Sequence, residues 1–182
     1  MDVSSAAADF DAAYGAGQWQ VNSVSLELSS IEPNNPLFNG PNTAGKFSVS
    51  WFATDVWTEG TGGTNSATTV GIKWSEVGPL TAGSESQGIF DYSGTGLAAY
   101  AFEPSAGLLA DILSGSLVSL YLRPADSTIS AVFGSRSNFP NRPALIITAS
   151  AVPEPGRMGF LFVAVVAFVS RRPRKSRGTD GG

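Results

Sequence analysis

The chain has 182 residues, 42% of them hydrophobic and 14% charged, with 21 glycines, 11 prolines and neither histidine nor cysteine; that is enough chain for one domain with a buried core. Without His or Cys there is no Ser-His-Asp triad, no thiol nucleophile, no imidazole acid or base, no thiolate or imidazole zinc site and no disulfide. Residues 1–152 carry thirteen acidic and five basic groups and residues 153–182 two acidic and six basic, so an acidic body that repels phosphate backbones precedes a basic tail, and nucleic acid is not expected as a partner.

Residues 1–18 read as an irregular N-terminal segment. An exported chain begins with basic residues and an apolar run of about 7 to 15 residues. Met1-Asp2-Val3-Ser4-Ser5-Ala6-Ala7-Ala8-Asp9 has neither, so an exported form is expected to start upstream of Met1.

From residue 19 a period of two takes over. Trp19 and Val21 are in one phase and Val24, Leu26 and Leu28 in the other, which predicts a bulge or break near Asn22-Ser23. The same alternation recurs at Phe47, Val49, Trp51 and Ala53; at Val70, Ile72 and Trp74; at Val118, Leu120 and Leu122; at Ile129, Ala131 and Phe133; and at Leu145, Ile147 and Ala149. Each run predicts a strand with one buried face. Glu32-Pro33-Asn34-Asn35-Pro36, Asn39-Gly40-Pro41-Asn42, residues 59–63, Gly78-Pro79, Ser93-Gly94 and Arg123-Pro124-Ala125-Asp126 supply turn chemistry between them. Residues 105–113 (SAGLLADIL), with Leu108, Leu109, Ile112 and Leu113 on one side, predict a short helix. About eight strands with long loops predict one all-β domain over 19–151, an antiparallel jelly-roll-like β-sandwich.

Aromatic side chains are the body's candidates for binding sugar. Trp51 and Trp74 are in phase with buried strand positions, and Trp57 opens a loop that it would pack beneath. Tyr92 and Tyr100 flank a glycine-rich turn and are expected as exposed carbohydrate platforms. Asp55 and Glu59, with Glu76 beyond, admit a calcium site completed by carbonyl oxygens of residues 60–63; a solvated acidic rim is the plainer reading. Arg136 and Arg142 are expected to pair with Asp55 or Glu59. A glycosidase needs two carboxylates at a set separation, and the sequence singles out no such pair, so no catalytic residue, metal ligand or cofactor is assigned and the chain is read as a non-enzyme.

The tail is the most specific stretch. Val152-Pro153-Glu154-Pro155 can continue neither helix nor sheet. An apolar run follows at residues 158–169, in which Gly159, Phe160, Leu161, Phe162, Val163 and Ala164, then Val165, Val166, Ala167, Phe168 and Val169, are the candidate membrane-embedded residues of a short hydrophobic helix. Twelve helical residues span only about 18 Å, short of the roughly 20 residues of a stable anchor. Arg171, Arg172, Arg174 and Lys175, with Arg177, would hold the terminus on the cytoplasmic side. An interior helix with a basic end is the alternative, but its apolar residues would not run unbroken around the circumference. Residues 178–182 read as a disordered end.

Pro-Glu-Pro, a short apolar helix and an Arg-rich end, in that order over 152–177, resemble a PEP-CTERM protein-sorting signal. The resemblance implies export to the surface or extracellular matrix of a Gram-negative bacterium through an inner-membrane intermediate. It also implies an exosortase as partner, cleaving near the motif, and association with extracellular polysaccharide. Asp55-Val56-Trp57-Thr58-Glu59-Gly60-Thr61, Thr69-Val70-Gly71-Ile72-Lys73-Trp74, Phe133-Gly134-Ser135-Arg136 and Arg142-Pro143-Ala144-Leu145-Ile146-Ile147-Thr148 resemble landmarks of DNRLRE-type domains. That family implies a jelly roll, carbohydrate-binding in some relatives. The expected function is therefore a non-catalytic exported surface or matrix protein whose sandwich binds polysaccharide. A protein-binding adhesin or scaffold, and a polysaccharide-degrading enzyme, are the alternatives.

Overall fold

A computed structural model describes residues 1–31, 41–57, 71–135 and 140–153. In chain order the elements are α1 (Ser4–Tyr14), β1 (Trp19–Ser29), β2 (Gly45–Trp51), α2 (Trp74–Leu80), β3 (Glu85–Tyr92), β4 (Leu97–Phe102), α3 (Ala106–Ser114), β5 (Leu120–Pro124) and β6 (Ala144–Ala151). The strands form two three-stranded antiparallel sheets, ordered β4-β1-β6 and β3-β2-β5. The protein is mostly β, and the predicted sandwich is present at this level.

Alternation places the core. Leu26 and Leu28 of β1 and Tyr100 of β4 meet Phe47 and Val49 of β2 and Tyr92 of β3 in one buried cluster between the sheets. Phe47 and Tyr100 pack edge to face with centroids 4.9 Å apart, and Tyr92 does the same with Phe133 at 5.4 Å. The predicted irregularity in β1 is a register shift between Val21 and Ser23 against β6, which lets Trp19 (5% exposed) and Val24 (fully buried) both face inward.

A second cluster closes one end of the sandwich. Val3 and Ala7 of the N-terminal segment, Leu108 and Ile112 of α3, Val118 and the two strand-end tryptophans Trp19 and Trp51 are buried together there. Each tryptophan is pinned by a helix carboxylate: Trp19 Nε1–H donates to Asp11 Oδ1 of α1 and Trp51 Nε1–H to Asp111 Oδ2 of α3, both at 2.7 Å. The predicted helix at 105–113 is α3, one residue displaced, with Leu108 and Ile112 inward; Leu113 faces out at 47% exposure. It ends at Gly115, whose φ of 66° is the left-handed stop that glycine favours.

Several expectations are corrected. Residues 4–14 are helical rather than irregular; the alanine-rich stretch has high helix propensity, and Ser4 N–H donates to Asp2 Oδ1 at 2.9 Å at its start. Trp74 opens α2 instead of a strand: Glu76, three residues after Lys73, accepts the Lys73 N–H at 2.9 Å and so starts a helical turn. This also departs from the DNRLRE pattern, in which a tryptophan strand stands there. The side chain of Trp74 lies outside what is described. Ala53 lies past the end of β2 and is exposed. Ile129, Ala131 and Phe133 form no strand; they pack on the inter-sheet cluster while their segment makes only the single bridges Thr43 to Ser130 and Ser30 to Phe133. The sequence alternation predicts neither β3 nor β4, and the described residues form six strands.

Candidate functional site

The chain leaving β2 builds the most distinctive surface. Phe52 N–H donates to the Ser119 carbonyl at 3.2 Å, extending the β2–β5 neighbourhood one step past the Trp51–Leu120 pair. Residues 53–57 then lie outside regular structure, and they bring two side chains onto Ser119. Trp57 Nε1–H donates to Ser119 Oγ at 3.0 Å, and Ser119 Oγ–H donates to Asp55 Oδ1 at 2.6 Å. Ser119 is 4% exposed, so its hydroxyl is a buried two-way link. The Trp57 indole is fixed by its N–H edge while 44% of the residue remains exposed.

Two clefts meet at that indole. One, of about 930 Å³, runs toward the sandwich interior and is lined by Leu26, Leu28, Leu120, Leu122, Phe133 and Pro143, with Asp55, Trp57 and Ser119 beside Met1, Asp2, Leu117 and Val118. The other, more open and of about 500 Å³, is lined by Thr54, Val56, Trp57, Gly71, Ile72, Glu76, Pro79 and Leu80. Trp57 lines both; the first cleft has the carboxylates Asp2 and Asp55 in its lining and the second has Glu76.

The tyrosines chosen from the sequence are not there. Tyr92 is 3% and Tyr100 8% exposed, both in the inter-sheet core. Each occupies an inward position at the end or middle of an unanticipated strand, and Tyr92 Oη is bonded to Ser30 Oγ at 2.8 Å. Burial, with Tyr92 as neighbour, pushes the Tyr100 phenol above its ordinary value. Neither can stack on a sugar. Of the tryptophans, Trp51 is in the core as expected at 8% exposure, while Trp57 is at the surface. No local pattern points to Ser119: it stands between Val118 and Leu120, in the phase that alternation assigns to the outside.

The acidic candidates have structural duties. Asp55 accepts from Ser119 and Glu76 from the Lys73 amide, and Glu59 lies outside the described residues. Among the described residues no group of three or more Asp, Glu, His or Cys side chains is placed to hold a metal ion. Arg142 is exposed just before β6, and Arg136 lies outside the described residues.

The sorting-signal residues are described only where they begin. β6 pairs with β1 as far as Ala151 opposite Trp19, and Val152 N–H then donates to the Gln18 carbonyl at 2.8 Å. Val152 and Pro153 are exposed. Glu154, Pro155, the apolar run from Gly159 to Val169 and the cations Arg171, Arg172, Arg174 and Lys175 lie outside the described residues. Among the described residues no helix is long and apolar enough to cross a membrane. No protein-family model matches the chain, and no curated protein matches it.

Proposed function

We propose that the protein is a non-catalytic exported surface or matrix protein, an antiparallel sandwich that associates with extracellular polysaccharide and carries a C-terminal sorting signal processed by an exosortase. One observation carries the reading: Pro153-Glu154-Pro155, the apolar run at 158–169 and five cations among residues 171–177 follow one another at the end of the chain. That order suits a segment that enters a bilayer from outside and is held by its cytoplasmic charge. Its starting point supports the reading, because Val152 and Pro153 stand exposed where the last ladder hydrogen bonds of the body are made. A protease or transpeptidase acting beyond them would leave the sheet intact.

The body's topology supports a jelly-roll-like sandwich. β1 pairs with β6 and β2 with β5 in nested antiparallel fashion, as in a ribbon rolled over itself. The innermost pair departs from that scheme, since β3 and β4 join different sheets.

The test is expression with the upstream coding region in a host that has the sorting machinery, followed by mass spectrometry of the surface and secreted fractions. A C-terminus at or just after the Pro-Glu-Pro motif is the expected result. Secreted protein that retains Arg177 overturns it.

A further inference from the structure

We infer that Trp57 is the aromatic platform of a glycan site, and that the site takes neutral rather than uronic-acid polysaccharide. The inference rests on the reading that the body binds polysaccharide, and it names the side chain and the ligand class. Single exposed apolar residues are common on protein surfaces and by themselves mean nothing. Trp57 differs in three respects. Its indole N–H is satisfied internally by Ser119, itself tied to Asp55, so the ring is held in place before any ligand arrives. It forms a wall of both clefts, so a chain of sugar units can run past it. Each cleft also sets a carboxylate in its lining, Asp55 or Glu76, to accept hydroxyl hydrogens while the ring covers the C–H face of a pyranose.

Charge decides the ligand class. Among the described residues that line the two clefts there is no lysine or arginine; the carboxylates Asp2, Asp55 and Glu76 face one cation, the Met1 ammonium, and residues 1–152 carry thirteen acidic against five basic groups. A polyuronate would bring more negative charge into an acidic field in which the Met1 ammonium is already engaged by the Val118 carbonyl and is outnumbered by those carboxylates. Polyhydroxylated neutral chains meet no such opposition.

The experiment is retention of the full chain and its variants on immobilised neutral hexose polymers (dextran, laminarin, galactomannan) and on polyuronates (alginate, polygalacturonate), with thermal melting of every variant. The wild type is expected on at least one neutral polymer and on neither polyuronate. Trp57→Ala should bind about tenfold or more weakly with a melting curve still cooperative, and Trp57→Phe, which keeps a stacking ring but loses the bond to Ser119, should bind between wild type and Trp57→Ala. Neutral-polymer binding that survives Trp57→Ala overturns the platform, and wild-type binding to polyuronates alone overturns the ligand class; both leave polysaccharide association standing. No retention on any polymer removes the association itself. Should Trp57→Ala fail to fold, quenching of tryptophan emission by ligand in the wild type, abolished in Trp57→Phe, decides the same question; quenching undiminished in Trp57→Phe overturns the platform.

Discussion

Gly107 leaves no room for a side chain against the Trp51 ring. A Cβ on Gly107 would stand 2.1 Å from Trp51 Cζ3 and 2.2 Å from Cη2, and the ring cannot swing away without giving up its 2.7 Å bond to Asp111. Gly to Ala inside a helix ordinarily gains about 1 kcal/mol of propensity. Overpacking against a rigid indole costs about 1–3 kcal/mol or more, so the clash wins. Gly107→Ala is expected to destabilise, read as a lower denaturation midpoint at unchanged slope. A midpoint that rises would mean that the ring relaxes freely. The two core tyrosines give the complementary case. Tyr100→Ala should lose about 3–5 kcal/mol, as large aromatic truncations do, with glycan retention of the folded fraction unaltered; loss of binding at full stability would return Tyr100 to the surface role that its burial denies.

Among the elements, α3 shows how one strand starts another structure. Ser105, its N-cap, makes no side-chain cap of its own; β3 supplies the acceptors instead. Gln87 Oε1 accepts the Ser105 N–H at 3.0 Å, and Glu85 Oε2 accepts the Gly107 N–H at 2.8 Å. Gln87 reaches inward because β3 shifts register against β2 between Val49 and Ser50, beside Gly88 at a φ of 134°. The Gly107 amide first, and the Ser105 hydroxyl second, hold the Glu85 carboxyl below its ordinary 4.5. A lowered folded pKa gives stability that is complete above the unfolded value and drains as pH falls through the folded one. Stability should therefore decline with acid from about pH 4.5 downward, and Glu85→Gln should flatten that part of the profile while lowering stability at neutral pH. A profile identical to wild type would show that the helix end is capped some other way. β3 and β4 also mark where sequence reading stops. β1, β2, β5 and β6 alternate large apolar with polar residues, and their inward phases are legible. In β3 a bulge puts Gln87 inward out of phase with Phe90 and Tyr92 while the apolar Ile89 faces out, and in β4 the apolar Leu97, Ala99 and Ala101 occupy the outward positions that alternate with Tyr100 and Phe102, so neither shows apolar residues alternating with polar ones. With both strands missed, Tyr92 and Tyr100 read as loop residues beside glycines, when they are the strand residues that fill the core. Trp57 was legible as the start of a loop, but its exposure depends on Ser119, 62 residues away, and no spacing rule reaches that far.

At the scale of the whole molecule the question is whether the body is complete without its tail. The sandwich closes when β6 zips onto β1, and the last pairs, Val21 to Ala149, Gln20 to Ser150 and Trp19 to Ala151, lie beside the helical end. There Tyr14 Oη–H donates to the Ala149 carbonyl at 3.2 Å, and Ala149 packs on the cluster that holds Trp19 and α1. Val152 N–H adds one more bond to Gln18, and Pro153 has no amide hydrogen to add another. A chain cut after Pro153 therefore keeps every one of these interactions. It is expected to melt within about 0.5 kcal/mol of the full chain, the range of changes that touch nothing structural. A cut after Thr148 removes the three pairs, the tyrosine bond and the Gln18 bond together. At about 0.5–1.5 kcal/mol net for each hydrogen bond, it should lose at least about 2 kcal/mol and loosen α1, visible as a fall in helical circular dichroism. The comparison separates the two readings of the apolar run. An address segment leaves the 1–153 body unchanged, whereas an interior helix would take part of the core with it. A 1–153 chain that is markedly less stable than the full one would place residues 158–169 inside the fold and end the case for sorting.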